Sequence, residues 1–214
     1  MVKAVIFDMD GVIIDSEIVY LQYMLEFARM KNPAVRIEQL YDMVGRTRGD
    51  SWKVMARAVD NGQSWEEIRA EFRTRDIYAE IDYRSIFRPD VKVVVEWLKE
   101  HGYQVGLASS THLELILRVL TENGIKEYFD TVVSGAQFKE SKPNPEIYHF
   151  TAGQLGVAEA DCLVVEDSTV GITAASRAGM KVAALHDPRF GFDESLADYH
   201  ISEIKEILDI VKES

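Results

Sequence analysis

Two hydrophobic rhythms divide the chain. Short, nearly continuous apolar runs stand at residues 4–7, 104–108, 131–134, 162–165 and 181–185, while the stretches between them repeat their apolar positions every three or four residues. Apolar runs of that length without polar alternation predict strands buried on both faces, and helical stretches between them predict a parallel sheet wound by helices. Gly102, Gly124 and Gly179 each stand where a helix should end in a left-handed residue before the next strand or turn. Asn144 with Pro145 reads as an N-cap followed by proline at the first helical position, and Thr111-x-x-Glu114 as a capping box. Residues 202–214 predict a surface helix with Ile204, Ile207, Leu208 and Val211 turned inward.

From residue 16 to 87 the strand-like rhythm is missing and helical periodicity persists. The expected organisation is therefore an α/β core made of residues 1–15 and 88–214, with an α-helical domain of residues 16–87 inserted after the first strand. Ser64-x-x-Glu67 predicts a capping box and a long amphipathic stretch to about residue 80, with Trp52 and Trp65 as the small core of the insertion. Pro89 marks the return to the sheet domain, and the absence of long flexible linkers predicts short crossings.

Composition narrows the possible partners. With 214 residues, 47% of them hydrophobic, the chain can bury a sizeable core. Its 24 Lys and Arg against 36 Asp and Glu leave a formal net charge of −12, which disfavours nucleic acid and acidic membrane surfaces as ligands. No apolar run approaches the roughly 18 residues of a membrane span. The chain opens on a strand rather than a charged leader, and its one cysteine, Cys162, has no intrachain partner. A cytoplasmic protein is expected.

The candidate chemistry sits where the expected strands end. Asp8-Met9-Asp10-Gly11 follows the first, and its two carboxylates at i and i+2 would point the same way from a strand. Ser109, with Ser110 and Thr111, follows the second and leads into a helix whose N–H groups suit an anion. Lys142 lies between Ser141 and Pro143, in a stretch bracketed by prolines, and Glu166-Asp167-Ser168 ends the fourth strand, Ser168 suiting a helix cap. Taken singly, these are a turn, two caps and a solvated loop charge. Taken together they gather four carboxylates at one sheet edge, where each pair at ~4 Å costs about 4 kcal/mol at an effective dielectric of 20. Mg²⁺ with Lys142 answers that repulsion, since a hard cation takes oxygen ligands and is usually shared with a substrate phosphate.

In this order and spacing the four motifs resemble the haloacid dehalogenase-like superfamily, in the branch of beta-phosphoglucomutases and small-metabolite phosphatases. The resemblance implies a Rossmann-like core with a helical cap domain. It further implies that Asp8 is a nucleophile phosphorylated in turn, that Asp10 is the general acid and base, and that Ser109 and the Ser110 N–H hold phosphoryl oxygens beside the Gly11 turn. Lys142 would bind nucleophile and phosphate together. Asp8, the Asp10 carbonyl, Glu166 and Asp167 would hold Mg²⁺. In the cap, Arg48 of Gly45-Arg46-Thr47-Arg48 matches an arginine that binds the non-reacting phosphate in the mutases, and Arg75 is a candidate for a second cation. Tyr20 stands where those mutases carry a histidine.

The expected activity is hydrolysis of a small phosphorylated metabolite, a sugar phosphate by class, by a monomer. A phosphosugar mutase is the alternative. A non-catalytic phosphate-binding module is a third reading, and dehalogenation a fourth; retention of Asp8 and Asp10 opposes the one, and the Glu166-Asp167 pair the other.

Overall fold

The computed structural model describes residues 1–44, 48–74 and 81–214. They form two compact units, Ser16–Asp82 and the pair of segments Met1–Asp15 and Tyr83–Ser214.

The first unit is helical, with α1 (Glu17–Lys31), α2 (Arg48–Val59) and α3 (Trp65–Phe72). Phe72 gathers its core, with the Phe27 ring centroid 5.1 Å away and that of Trp52 at 5.3 Å. Trp52 is buried as expected; Trp65, at the start of α3, is only half-buried. Ser64 closes the anticipated capping box, its hydroxyl accepting from the Glu67 N–H at 3.2 Å while the Glu67 carboxylate accepts from the Ser64 N–H at 2.7 Å. The helix it opens ends at Phe72 rather than near residue 80, and residues 75–80 lie outside the described part. A cavity of about 170 Å³ within this unit is lined by Glu17, Tyr20, Leu21, Met24, Met43, Val44, Ser51 and Trp52.

The second unit is an α/β sandwich. Its sheet comprises β1 (Ala4–Phe7), β2 (Gln104–Ser109), β3 (Thr131–Ser134), β4 (Cys162–Glu166), β5 (Lys181–Leu185) and β6 (Tyr199–Ile201). They lie in the order β3-β2-β1-β4-β5-β6 with every pair parallel. Helices α4 (Pro89–Glu100), α5 (Leu113–Glu122), α6 (Glu146–Leu155), α7 (Thr169–Arg177) and α8 (Ile207–Glu213) complete it. All residues of β1 and β4 are buried, which is why residues 4–7 and 162–165 read as unbroken apolar runs. Cys162 begins β4 inside the core, where burial pushes its thiol up to about 12. Gly102, Gly124 and Gly179 take the positive φ expected of residues just past a helix end.

Three expectations need correction. Strand β6 is an additional element, three residues long in an acidic stretch, with Ile201 its buried residue. Helix α6 starts at Glu146 with Pro145 at the cap, so Asn144 acts one position earlier by accepting from the Glu146 N–H at 2.9 Å. The chain also re-enters the sheet unit at Tyr83, ahead of the expected 88. Tyr83 is fully buried with the Arg118 guanidinium 5.0 Å from its ring centre, and the Asp15 N–H donates to the Ile86 carbonyl at 2.7 Å. Asp15 is further held by Arg189, whose terminal nitrogens reach its two carboxylate oxygens at 3.0 and 2.7 Å. The terminal segment opens as a 3₁₀ turn over Ile204–Glu206 before α8; Ile204, Ile207 and Val211 are buried and Leu208 is half-buried.

Removing the box that opens α3 should be measurable in isolation: Ser64→Ala is expected to cost about 1 kcal/mol, read as an earlier urea transition in tryptophan fluorescence.

Candidate active site

The sheet order puts β1 between β2 and β4, and the register pairs Phe7 with Leu107 on one side and Val165 on the other. The residues that follow therefore leave the carboxyl edge of the sheet together: Asp8 from β1, Ser109 from β2 and Glu166 from β4. This is the edge at which open α/β sheets bind ligands. The Asp8 N–H donates to the Val165 carbonyl at 3.0 Å and so ties the first of these groups to β4.

Strand β1 stops at Phe7, so alternation along a strand does not present Asp8 and Asp10, contrary to the reading of their spacing. A tight turn does so instead. Ile13 and Ile14 both donate to the Met9 carbonyl at 2.8 and 3.1 Å, and Gly11 takes φ +79° while donating to Ile14 at 2.8 Å. Gly11 answers a second demand as well, because a Cβ at that position would lie 1.9 Å from Asp167 Oδ2.

Lys142 is the hub. Its buried ammonium lies 2.7 Å from Asp8 Oδ1, 2.8 Å from Glu166 Oε1 and 3.0 Å from the Ala108 carbonyl, which uses all three of its protons. Glu166 is fully engaged in turn. Its Oε1 also accepts from the Tyr148 hydroxyl at 3.1 Å, and its Oε2 accepts from the Asp167 N–H, the Ser168 N–H and the Ser168 hydroxyl, each at 3.0 Å. Ser168 has a further duty as the expected cap of α7, accepting from the Gly171 N–H at 3.2 Å. Gly171 gives the carboxylate its room, since a Cβ there would fall 1.7 Å from Glu166 Oε1.

Burial shapes the charges. It pushes the Asp8 carboxyl up to about 7, Glu166 and Asp10 adding to the rise and Lys142 opposing it. Burial alone would lower Lys142, but the facing Asp8 and Glu166 carboxylates hold it well above its ordinary value. Tyr148 is also held well above its ordinary value, by burial and then by Glu166, and so remains a proton donor.

Asp8, Glu166 and Asp167 each bring one oxygen within 4.8 Å of the others, all three residues being buried. Two of the three, Asp8 and Glu166, pair with the Lys142 ammonium, and the all-oxygen donor set suits a hard divalent cation. The Asp10 carboxylate is not part of this group; its Oδ2 accepts from the Thr111 hydroxyl at 2.8 Å. That bond corrects the Thr111-x-x-Glu114 reading, because α5 begins at Leu113 with His112 at its cap and Thr111 serves Asp10 instead. Ser109 is buried and accepts from the Thr111 N–H at 3.1 Å, whereas Ser110 is exposed.

Asp8, Ser109, Lys142, Glu166 and Asp167 are thus gathered at one sheet edge, with Asp10, Gly11 and Ser110 adjoining them. Gly45, Arg46, Thr47 and Arg75 lie outside the described residues, as does the side chain of Arg48. Tyr20 lines the cavity of the helical unit. Tyr148, Ser134 and Gly171 escaped the sequence reading: a tyrosine on an apolar helix face reads as core, and a glycine inside a helix gives no sign of what fills its missing side chain.

A family model described as haloacid dehalogenase-like hydrolase matches residues 5–185. The chain belongs to the haloacid dehalogenase-like hydrolases. Over 216 aligned residues this hydrolase is 34% identical to hexitol phosphatase B of Escherichia coli (strain K12), covering 96% of this chain and 94% of that one. It is 28% identical to a phosphorylated carbohydrates phosphatase of Thermotoga maritima, covering 99% of each. The crystal structure of beta-phosphoglucomutase from Clostridium difficile shares the fold, with a TM-score of 0.72 at 22% identity over 100% of this chain and 98% of that one. Within the family, the chain is an enzyme of the phosphatase and phosphomutase branch. Among the described residues no helix is long and apolar enough to cross a membrane.

The space that Gly171 leaves for Glu166 generates a test. Gly171→Ala is expected to cost ~1–3 kcal/mol in denaturant unfolding by overpacking, and to lower kcat/KM for phosphate release at least about tenfold by displacing the carboxylate. Tyr148→Phe removes one hydrogen bond without adding bulk, and the expected cost is nearer ~1 kcal/mol.

Proposed function

We propose that the chain is a Mg²⁺-dependent phosphomonoesterase of small phosphorylated metabolites, sugar or hexitol phosphates by class, working through an aspartyl-phosphate on Asp8. One observation carries this reading: Asp8 sits at the sheet edge with Lys142 2.7 Å from one of its oxygens, inside a buried group of three carboxylates. Asp8 and Asp167, with the Asp10 carbonyl, would hold Mg²⁺ directly, and Glu166, whose oxygens already accept five hydrogen bonds, would do so through water. When bound, the ion supplies charge neutralisation for the transferring group.

The protein's own groups divide the remaining work. Asp8 attacks phosphorus, and the bond from phosphorus to the leaving alkoxide breaks as the Asp10 carboxyl gives that oxygen its proton. The Asp10 carboxylate then takes a proton from water; the water oxygen attacks phosphorus, and the bond to Asp8 breaks to release phosphate. Lys142 balances charge on Asp8 through both steps. Ser109 already accepts the Thr111 N–H, which directs its own proton toward a phosphoryl oxygen beside the Ser110 N–H.

In this reading Met1–Asp15 with Tyr83–Ser214 is the catalytic core and Ser16–Asp82 the cap domain. The working unit is a cytoplasmic monomer. The names of the Escherichia coli and Thermotoga maritima relatives support a phosphorylated carbohydrate or hexitol. Tyr20, on α1 where the mutases carry histidine, favours water over a sugar hydroxyl as acceptor.

A panel of sugar and hexitol phosphates assayed with Mg²⁺ tests the proposal. Steady phosphate release is expected, abolished by EDTA and restored by Mg²⁺, with Asp8→Asn and Asp10→Asn lowering turnover by about 10²–10⁴-fold or more. Isomerisation of beta-glucose 1-phosphate with little free phosphate would instead make the chain a mutase. Equal inactivity of the wild type and Asp8→Asn would make it a binding module.

A further inference from the structure

Thr111 is held at all three of its polar groups. Its N–H donates to Ser109 Oγ at 3.1 Å, its carbonyl accepts from Ser134 Oγ at 2.6 Å, and its hydroxyl donates to Asp10 Oδ2 at 2.8 Å. Ser134, at the end of β3, is itself fixed by accepting from the Ala136 N–H at 3.2 Å. The next residue presses on the same loop, because a Cβ on Gly135 would lie 3.0 Å from Ser110 Cα. The hydroxyl facing Asp10 is therefore mounted on a backbone tied to the ends of both β2 and β3.

A carboxylate on a short side chain turns readily about its last torsion, whose profile is broad and two-fold. A charge-assisted hydrogen bond from a fixed donor selects one orientation, and proton transfer demands such orientation because it works over hydrogen-bond distances. Asp10 is half-buried in the turn after β1, its backbone in an isolated β-bridge with Ile14 and its carboxylate Oδ2 accepting from the Thr111 hydroxyl. We propose that Thr111 is a positioning residue that fixes the Asp10 carboxylate for its proton transfers. This rests on the reading of Asp10 as general acid and base.

The test separates leaving groups. An alkyl phosphate, such as a sugar phosphate, needs a proton on the departing oxygen, whereas p-nitrophenyl phosphate releases a stable anion and does not. Thr111→Val is expected to lower kcat on the sugar phosphate by about 10–100-fold with KM changed by less than about threefold. The pre-steady-state burst of p-nitrophenol should slow by less than about threefold, and Thr111→Ser should restore most of the lost turnover. Thr111→Ala, measured beside them with thermal unfolding of every variant, should show the same selective loss. Equal losses on both substrates with a raised KM would mean a merely structural loop contact and overturn the proposal, as would wild-type kinetics in Thr111→Val. Asp10→Asn shows which premise failed: if it turns over the sugar phosphate like the wild type, the acid and base reading falls and the proposal falls with it. If Asp10→Asn is inactive while Thr111→Val is normal, only the proposal falls.

Discussion

The bond from Lys142 to Asp8 and Glu166 is the constraint around which the sheet edge is arranged. An ammonium and several carboxylates withdrawn from water stay buried only if every proton and lone pair finds a partner, and breaking such a group typically costs ~3–5 kcal/mol. The fold supplies the partners from separate places. The β2 backbone offers the Ala108 carbonyl, α6 brings the Tyr148 hydroxyl, and the entry to α7 offers two N–H groups and the Ser168 hydroxyl. Even so, burial and the neighbouring Glu166 and Asp10 leave Asp8 pushed up to about 7. An Asp8 that is to attack as an anion at neutral pH gains from further positive charge, and the donor oxygens beside it fit that need.

The same economy of groups recurs around the site. Ser168 caps α7 and also donates to Glu166, while Ser109 ends β2 and anchors the Thr111 N–H. Ser134 ends β3 and fastens the Thr111 carbonyl. Each is a strand or helix terminus whose backbone groups need partners outside the regular ladder. The chemistry sits at these ends because only there does the backbone offer groups not already committed to secondary structure.

Much of this was legible in the letters, for an identifiable reason. The strands of the buried sheet centre are largely apolar, and the functional groups stand at their carboxyl ends or immediately after them. Strand β6 has one buried residue among three and leaves no such trace. The two capping-box patterns make the sharper comparison. Ser64-x-x-Glu67 forms the box, while Thr111-x-x-Glu114 does not, because a carboxylate from residue 10 lies within reach of the Thr111 hydroxyl. A local pattern records what neighbours in sequence offer one another and is blind to a competitor folded in from far away. For the same reason Tyr148 drew no attention in the sequence, its hydroxyl having a purpose only once β4 lies beside it. The second crossing was placed late because its evidence, the Asp15 bond to Ile86 and the burial of Tyr83, is tertiary.

The saturation of Glu166 restricts what chemistry can stand at that position. Five donors converge on its two oxygens. An amide of the same shape would have to aim its NH₂ at donors whichever way it was flipped, toward Lys142 and Tyr148 or toward the entry of α7. Glutamine, the usual stand-in for a neutral glutamate, is thus a repulsive substitution here rather than an isosteric one.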